Sequence, residues 1–176
     1  MKKIFIFIIF LFLPYINLKA SAPSLILKSE QDAYSVGKYL DILEDKTNQL
    51  TIYDVTKPAW ASKFKRSKED IVNFGFSNST FWAKLTITNN SSHRFQWYLL
   101  QNFVLQDKIK LYYRDKNEWR GKLAGDTIAF SDREIKLRDL AFEINPKEKT
   151  TYFIKVKGVA NKFNLKIEKV KVHLIA

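Results

Sequence analysis

The stretch Phe81-Trp82-Ala83-Lys84-Leu85-Thr86-Ile87-Thr88 decides the fold class, because its apolar residues recur at every second position. The odd positions carry Phe, Ala, Leu and Ile, and the even positions carry Trp, Lys and Thr. A period of two is typical of a strand with one face in a core. Asn89-Asn90-Ser91-Ser92 then ends the alternation with turn-forming residues.

The segments on either side repeat this pattern. Residues 95–101 are apolar on both faces, which predicts a central strand. Residues 108–123 alternate on both sides of Asp115-Lys116-Asn117, which predicts a hairpin. Two more alternating stretches, 140–144 and 152–156, predict further strands.

The two ends of the chain are less regular. Apolar residues occupy positions 163, 165 and 167 and then 170, 172 and 174, so an extra residue near Glu168-Lys169 predicts a bulge or bend. Towards the N-terminus, strands are predicted at 35–43 and 70–74 and one helical turn at 52–55. Lys57-Pro58 and the basic stretch 63–68 are interpreted as a connecting loop.

About eight to nine short strands and no long helix predict an all-β chain, an antiparallel sandwich or barrel. No internal repeat or second domain interrupts it. We therefore expect a single domain over residues 23–176.

Residues 1–22 have the three parts of a signal peptide. A basic start, Met1-Lys2-Lys3, precedes ten apolar residues that end at Pro14, and Ala20-Ser21-Ala22 offers small residues at a cleavage site. A membrane-spanning helix needs about 20 apolar residues, although an uncleaved anchor is the alternative. We expect export to the periplasm or the exterior, with cleavage near Ala22 and no transmembrane span in the mature chain.

Composition excludes several functions. The 176 residues include no cysteine, which excludes disulfides, thiolate nucleophiles and cysteine-ligated metals. Without residues 1–22, which hold three lysines and no acid, the net charge falls from +12 to +9. Only six of the 30 basic residues are Arg, which nucleic-acid readers favour, so no nucleic-acid partner is expected.

No motif indicates an enzyme. His93 and His173 lie outside any nucleophile elbow, and the five glycines form no phosphate-binding loop. No Asp-rich loop suggests a calcium site. We predict no catalytic residue, no metal and no cofactor.

Seven short motifs then follow one another in a characteristic order. They are Ser35-Val36-Gly37-Lys38-Tyr39-Leu40, Leu43-Glu44-Asp45, Asn73-Phe74-Gly75-Phe76-Ser77, Phe81-Trp82-Ala83-Lys84-Leu85, Gln106-Asp107-Lys108-Ile109-Lys110-Leu111-Tyr112, Gly125-Asp126 and Phe130-Ser131-Asp132-Arg133. Over roughly residues 28–176, the chain thereby resembles the type 2 extracellular domain of bacterial seven-transmembrane receptors with diverse intracellular signalling modules.

The resemblance implies a jelly-roll-like β-sandwich related to carbohydrate-binding modules. It also implies an extracytoplasmic sensor domain for a small molecule or saccharide. The receptors continue into seven helices and an output module, whereas this sequence ends at Ala176. We therefore expect either a free binding subunit, working with a separate membrane receptor, or the front of a larger receptor.

Five residues are candidates for ligand binding. Trp82 shares the polar face of its strand with Lys84, and an indole packs well against the apolar underside of a pyranose. Asp107, Asp126 and Arg133 lie at predicted strand ends and match polar positions of the family pattern. Carboxylate and guanidinium groups suit a hydroxyl-rich ligand.

Each candidate has a structural alternative. Trp82 is an ordinary core residue if both faces of its strand are covered. Asp107, Asp126 and Arg133 hold loops in place if their contacts are internal, with Arg133 paired to Asp126. The alternative function is an exported structural module, or one that interacts with a protein or a surface, without a small-molecule ligand.

Overall fold

The computed structural model describes residues 23–91 and 96–169, and within them it confirms an all-β fold. Two one-turn helices, α1 (Ile52–Val55) and α2 (Pro58–Ala61), are the α-helices of this part of the chain. The strands are β1 Leu25–Leu27, β2 Ala33–Ser35, β3 Leu40–Asp45, β4 Lys65–Arg66, β5 Val72–Phe76, β6 Thr80–Asn89, β7 Trp97–Gln101, β8 Lys108–Asp115, β9 Glu118–Ala124, β10 Leu140–Ile144, β11 Lys149–Lys157, β12 Ala160–Phe163 and β13 Leu165–Lys169.

The described strands form a large sheet, a small sheet and a two-stranded ribbon. The large sheet has the order β4-β3-β6-β11-β8-β9, with β1 parallel to the end of β6. The small sheet has the order β10-β7-β13-β2, and β12 pairs with β5. All pairs other than β1 with β6 are antiparallel. One apolar core joins the facing sides of the two larger sheets, which gives a sandwich-like arrangement.

The strand pattern of the sequence is confirmed at the centre of both sheets. The odd-numbered residues of β6, from Phe81 to Ile87, all lie in the core between the sheets. All five residues of β7 are buried, and this strand lies between β10 and β13, as its apolar sequence predicts. Burial on both faces of β7 is completed by Ile135 and Leu137, which pack on its outer side.

The structure has thirteen described strands rather than eight or nine. The additional ones include β1, β2 and β4, which are two or three residues long and too short to carry a periodic signal. The interpretation of 57–58 and 63–68 as a plain loop is wrong in part. Pro58 begins α2, a position that its fixed φ favours, and β4 pairs with β3.

The helical turn predicted at 52–55 is confirmed as α1. Thr51 caps its start, since Thr51 Oγ1 accepts from the Asp54 N–H and Asp54 Oδ2 accepts from the Thr51 N–H. Hydrogen bonds from Lys57 and Thr51 hold the pKa of the Asp54 carboxyl below its ordinary value. The cap fixes the residue at which α1 begins.

The hairpin predicted at 108–123 is also confirmed, as β8 and β9. Asp115 pairs with Glu118, so two residues form the turn, and Lys116 takes a left-handed φ of 56°. This register places Lys122 opposite the buried Leu111.

Several predictions fall outside the described residues. They concern the signal peptide at 1–22, His93, His173 and the second half of the predicted bend, at 170–174. Within 23–91 and 96–169, no helix has the length and apolar character needed to cross a bilayer.

Gly37 gives a test of the packing between β3 and the segment before β5. A Cβ at Gly37 would lie 2.1 Å from the Asp70 carbonyl oxygen, a backbone atom that cannot rotate away. We expect Gly37→Ala to lower the free energy of unfolding by about 1–3 kcal/mol, measured by urea denaturation.

Gly121→Ala is the matched control. Its Cβ would meet the Lys110 side chain, which can move, so we expect a change near zero. Equal stabilities of the two variants would contradict the close approach at Gly37.

Candidate functional site

The outer face of the large sheet, directed away from the core, carries the first two candidates, Trp82 and Lys84. A segment that contains α1 and α2 packs on this face through Ile52 and Val55. The resulting second apolar cluster also includes Leu43 and Phe153. The even-numbered face of β6 is therefore covered over part of its length.

Trp82 is at the centre of this second cluster and is 0% exposed. Its ring stacks on Tyr112 with centroids 5.6 Å apart, and the Lys155 ammonium lies 4.8 Å from the ring. The expectation that Trp82 is a stacking platform is not supported, because the indole has no free face. The structural alternative, a core tryptophan, describes its position.

Lys155 ties the covering segment to the sheet. Its ammonium donates to the Leu50 carbonyl at 3.1 Å. Burial lowers the pKa of Lys155, and the charge of Asp45 acts in the opposite direction. A partly buried cation thus lies over the tryptophan, at the place where the segment crosses β11.

Lys84 is partly exposed on the same outer face. It lies between Asp41 of β3 and Phe153 of β11 in the strand register. Asp41 itself accepts from the Arg66 guanidinium at 2.8 Å. Lys84 is therefore in the middle of the sheet, away from the other three candidates.

Asp107, Asp126 and Arg133 occupy one end of the sandwich, which we call the loop end. The Asp107 carbonyl accepts from both the N–H and the hydroxyl of Thr127, and the Asp126 N–H donates to Gln106. Arg133 donates to the Gly125 carbonyl at 3.1 Å rather than to Asp126. The structure brings these three residues together. The hydrogen bonds hold the loop before β8 to the loop after β9.

The loop end also contains a buried polar pair that no sequence pattern predicted, Gln106 and Asn161. The Gln106 amide donates to the Lys157 carbonyl and to Asn161 Oδ1, at 3.1 and 3.3 Å. The Asn161 amide donates to the carbonyls of Ser77 and Gly158. Beside this pair is a cavity of about 400 Å³, lined in part by Asp107, Lys108, Thr127 and Lys157.

A larger cleft of about 550 Å³ lies at the opposite end, which we call the hairpin cleft. It is formed by the β8–β9 hairpin, the end of β10 and the start of β11. Its lining residues are Tyr113, Arg114, Asp115, Lys116, Lys122, Glu143, Ile144, Asn145, Lys147, Thr150 and Tyr152. None of the sequence candidates is among them.

Lys122 crosses the hairpin cleft between β9 and β10, the edge strands of the two sheets. Its ammonium donates to Glu134 Oε1 at 2.6 Å and to the Glu143 carbonyl at 2.9 Å. The ammonium also lies 5.9 Å from the Tyr113 ring. The signal in the sequence is a lysine at an inward-facing position of β9, which shows only once the hairpin register is known.

The second tyrosine of the cleft, Tyr152, is buried. Burial raises the pKa of its phenol well above the ordinary value, while a hydrogen bond from the Asn145 backbone acts in the opposite direction. Tyr152 is therefore a neutral hydroxyl at physiological pH. The described residues contain no group of three or more His, Asp or Glu side chains placed to hold a metal ion.

Trp82→Ala separates a core tryptophan from a ligand platform. We expect the loss of a fully buried tryptophan to lower the free energy of unfolding by about 3–5 kcal/mol, measured by chemical denaturation. Trp119→Ala is the control, because Trp119 belongs to the same cluster but is partly exposed. A Trp82 variant as stable as the wild type would contradict the core assignment.

Comparison with known proteins gives the family. No curated protein matches the chain. The family described as 7TMR-DISM extracellular 2 matches residues 37–169, which span the sandwich from the turn before β3 to the end of β13. Its members are extracellular domains of receptors, and the family is not an enzyme family. This chain belongs to the 7TMR-DISM extracellular 2 family.

Proposed function

We propose that this protein is an extracytoplasmic sensor domain that binds a small polar ligand non-covalently in the hairpin cleft. The observation that carries the proposal is a cleft of about 550 Å³ in a domain of a receptor extracellular family. Ligand sites commonly have volumes of about 300–1,000 Å³ and combine aromatic walls with a few polar groups.

The cleft suits a saccharide in particular. Tyr113 is partly exposed and supplies an aromatic wall that suits the apolar face of a sugar ring. Asn145 and Thr150 supply amide and hydroxyl groups, and Lys116 and Asp115 supply charged donors and acceptors. The relation to carbohydrate-binding modules, which the sequence resemblance implies, points to the same ligand class.

The loop end is a second place for a polar ligand. Asp107 lines the cavity of about 400 Å³ there, and Asp126 and Arg133 belong to the loop beside it. We keep these three residues and Lys84 as proposed ligand contacts. The hairpin cleft comes first because it is larger and its wall includes aromatic rings.

The export of the protein is also a proposal. Residues 1–22 have the composition of a signal peptide, and the family matched by the rest of the chain is an extracellular domain. We propose a periplasmic or extracellular location after cleavage near Ala22.

Cell fractionation with intact-mass measurement tests this location. We expect the protein in the periplasmic or secreted fraction, with a mass that corresponds to a start near Pro23. Recovery of the uncleaved chain from the membrane fraction would instead support the anchor.

A thermal-shift screen with mono- and oligosaccharides tests ligand binding. A true ligand at a hundredfold excess over its Kd stabilises the native state by about 2.7 kcal/mol. We expect Asn145→Ala and Tyr113→Ala to reduce the shift. Tyr53→Ala is the matched control, because Tyr53 is an exposed tyrosine of α1 outside the cleft.

The same screen weighs the alternative, an interaction module without a small ligand. Phe76 and Val159 are exposed by 86% and 66% and adjoin at the loop end, where the Ser77 N–H donates to the Val159 carbonyl. If no saccharide shifts the melting temperature, the interaction module becomes the better explanation.

A further inference from the structure

We propose that the ligand of the hairpin cleft carries a negative charge, and that Lys122 together with Lys116 and Lys147 recognises it. This inference rests on the proposed function, because it names the class of ligand that the same cleft takes. The chemistry in question is a carboxylate or phosphate group on a molecule of about the size of a sugar.

The first argument is the balance of charge around the cleft. Four basic side chains line it, those of Arg114, Lys116, Lys122 and Lys147. Over residues 23–91 and 96–169, three of them form no ion pair, and Lys122 alone has a carboxylate partner. A cleft with an excess of one sign of charge concentrates ligands of the opposite sign.

Four basic and two acidic residues leave the lining with an excess of two positive charges, or of one when Glu134, the partner of Lys122, is included. Glu143 pairs in register with Tyr98 on the outer side of the small sheet. Burial raises the pKa of the Tyr98 phenol, and the charge of Glu143 adds to this effect. What Glu143 offers Lys122 is its backbone carbonyl. Asp115 is an exposed residue at the mouth of the hairpin.

Lys122 has the geometry of a recognition group. Its side chain is 21% exposed, and the ammonium is held in place by Glu134 and by the Glu143 carbonyl. These two contacts use two of its three N–H donors, which leaves one for a ligand. A charge that is partly withdrawn from water interacts more strongly with an anion than a fully solvated charge does.

Lys116 and Lys147 are exposed and lie on different elements, one in the β8–β9 turn and the other just after β10. They face the same cavity as Lys122. An anionic group in the cleft would therefore meet positive charge from the hairpin, from β9 and from the segment after β10. A neutral sugar can accept hydrogen bonds from these ammonium groups, but it gains no attraction between opposite net charges.

The test is isothermal titration of the mature protein with glucose, glucuronate and glucose 6-phosphate, which share one sugar ring and differ only at the exocyclic carbon C6. We expect at least one of the anions to bind about tenfold or more tightly than glucose, because a hydrogen bond to a charged group is worth about that factor. The advantage should shrink as salt rises. The two anions distinguish carboxylate from phosphate recognition.

Glutamine substitutions of single lysines test which residues recognise the negative charge of the ligand. Lys122→Gln should remove most of the preference for the anion over glucose, taken as the ratio of the two affinities in the same variant. Lys147→Gln, at an exposed position that does not threaten folding, should weaken anion binding several-fold. Lys166→Gln is the matched control, since Lys166 is an exposed lysine of β13 outside the cleft.

Equal affinities for the three compounds would overturn the charge inference and leave ligand binding intact. So would binding of some other neutral saccharide while all three compounds fail. An anion preference that persists in both the Lys122 and the Lys147 variants would also overturn it. If no compound in the full saccharide screen binds, the proposed function fails along with the inference.

Discussion

The rest of the structure depends on the burial of β6 on both of its faces. Its odd-numbered side chains fill the core between the sheets, and its even-numbered face holds Trp82 under the α1–α2 segment. β6 pairs with β3 and β11 along its sides and with β1 at its end. A strand enclosed in this way has no freedom of register, because a shift by one residue would move Lys84 and the threonines into the core and the odd-numbered apolar side chains out of it.

Two partly buried lysines each connect separate segments of the chain by hydrogen bonds. Lys155 attaches the covering segment to the large sheet through the Leu50 carbonyl. Lys122 joins the edge strands of the two sheets through the Glu143 carbonyl, and it attaches the β9–β10 segment through Glu134. Each uses a long apolar stem along a packed surface and a charged end at a carbonyl. In a chain without cysteine, such contacts connect segments that a disulfide connects in other proteins.

The two ends of the sandwich have different characters. At the loop end, Gln106 and Asn161 hydrogen-bond to each other and to three backbone carbonyls, so the loops there are held by internal partners. At the hairpin end, three basic residues that line the cleft, Arg114, Lys116 and Lys147, form no ion pair with the described part of the chain. The loop end also holds two buried side-chain atoms without a hydrogen-bond partner, Gln106 Oε1 and Arg133 Nε. The hairpin end is the first candidate because its cleft is larger, includes two tyrosines and has an excess of basic residues.

The sequence by itself determined the all-β class, the central strands β6 and β7, the β8–β9 hairpin, the turn of α1 and the family, because these depend on periodicity, turn residues and local motifs. Only the tertiary structure decided the place of Trp82 and the existence of the cleft. Whether an even-numbered residue of β6 meets water depends on a segment some twenty to thirty residues away that folds over it. From the sequence alone, Lys122 looks like a surface lysine. The pairing of β9 with β8 places it opposite Leu111, because the partner strand, and not the strand's own sequence, decides which face of an edge strand points inward.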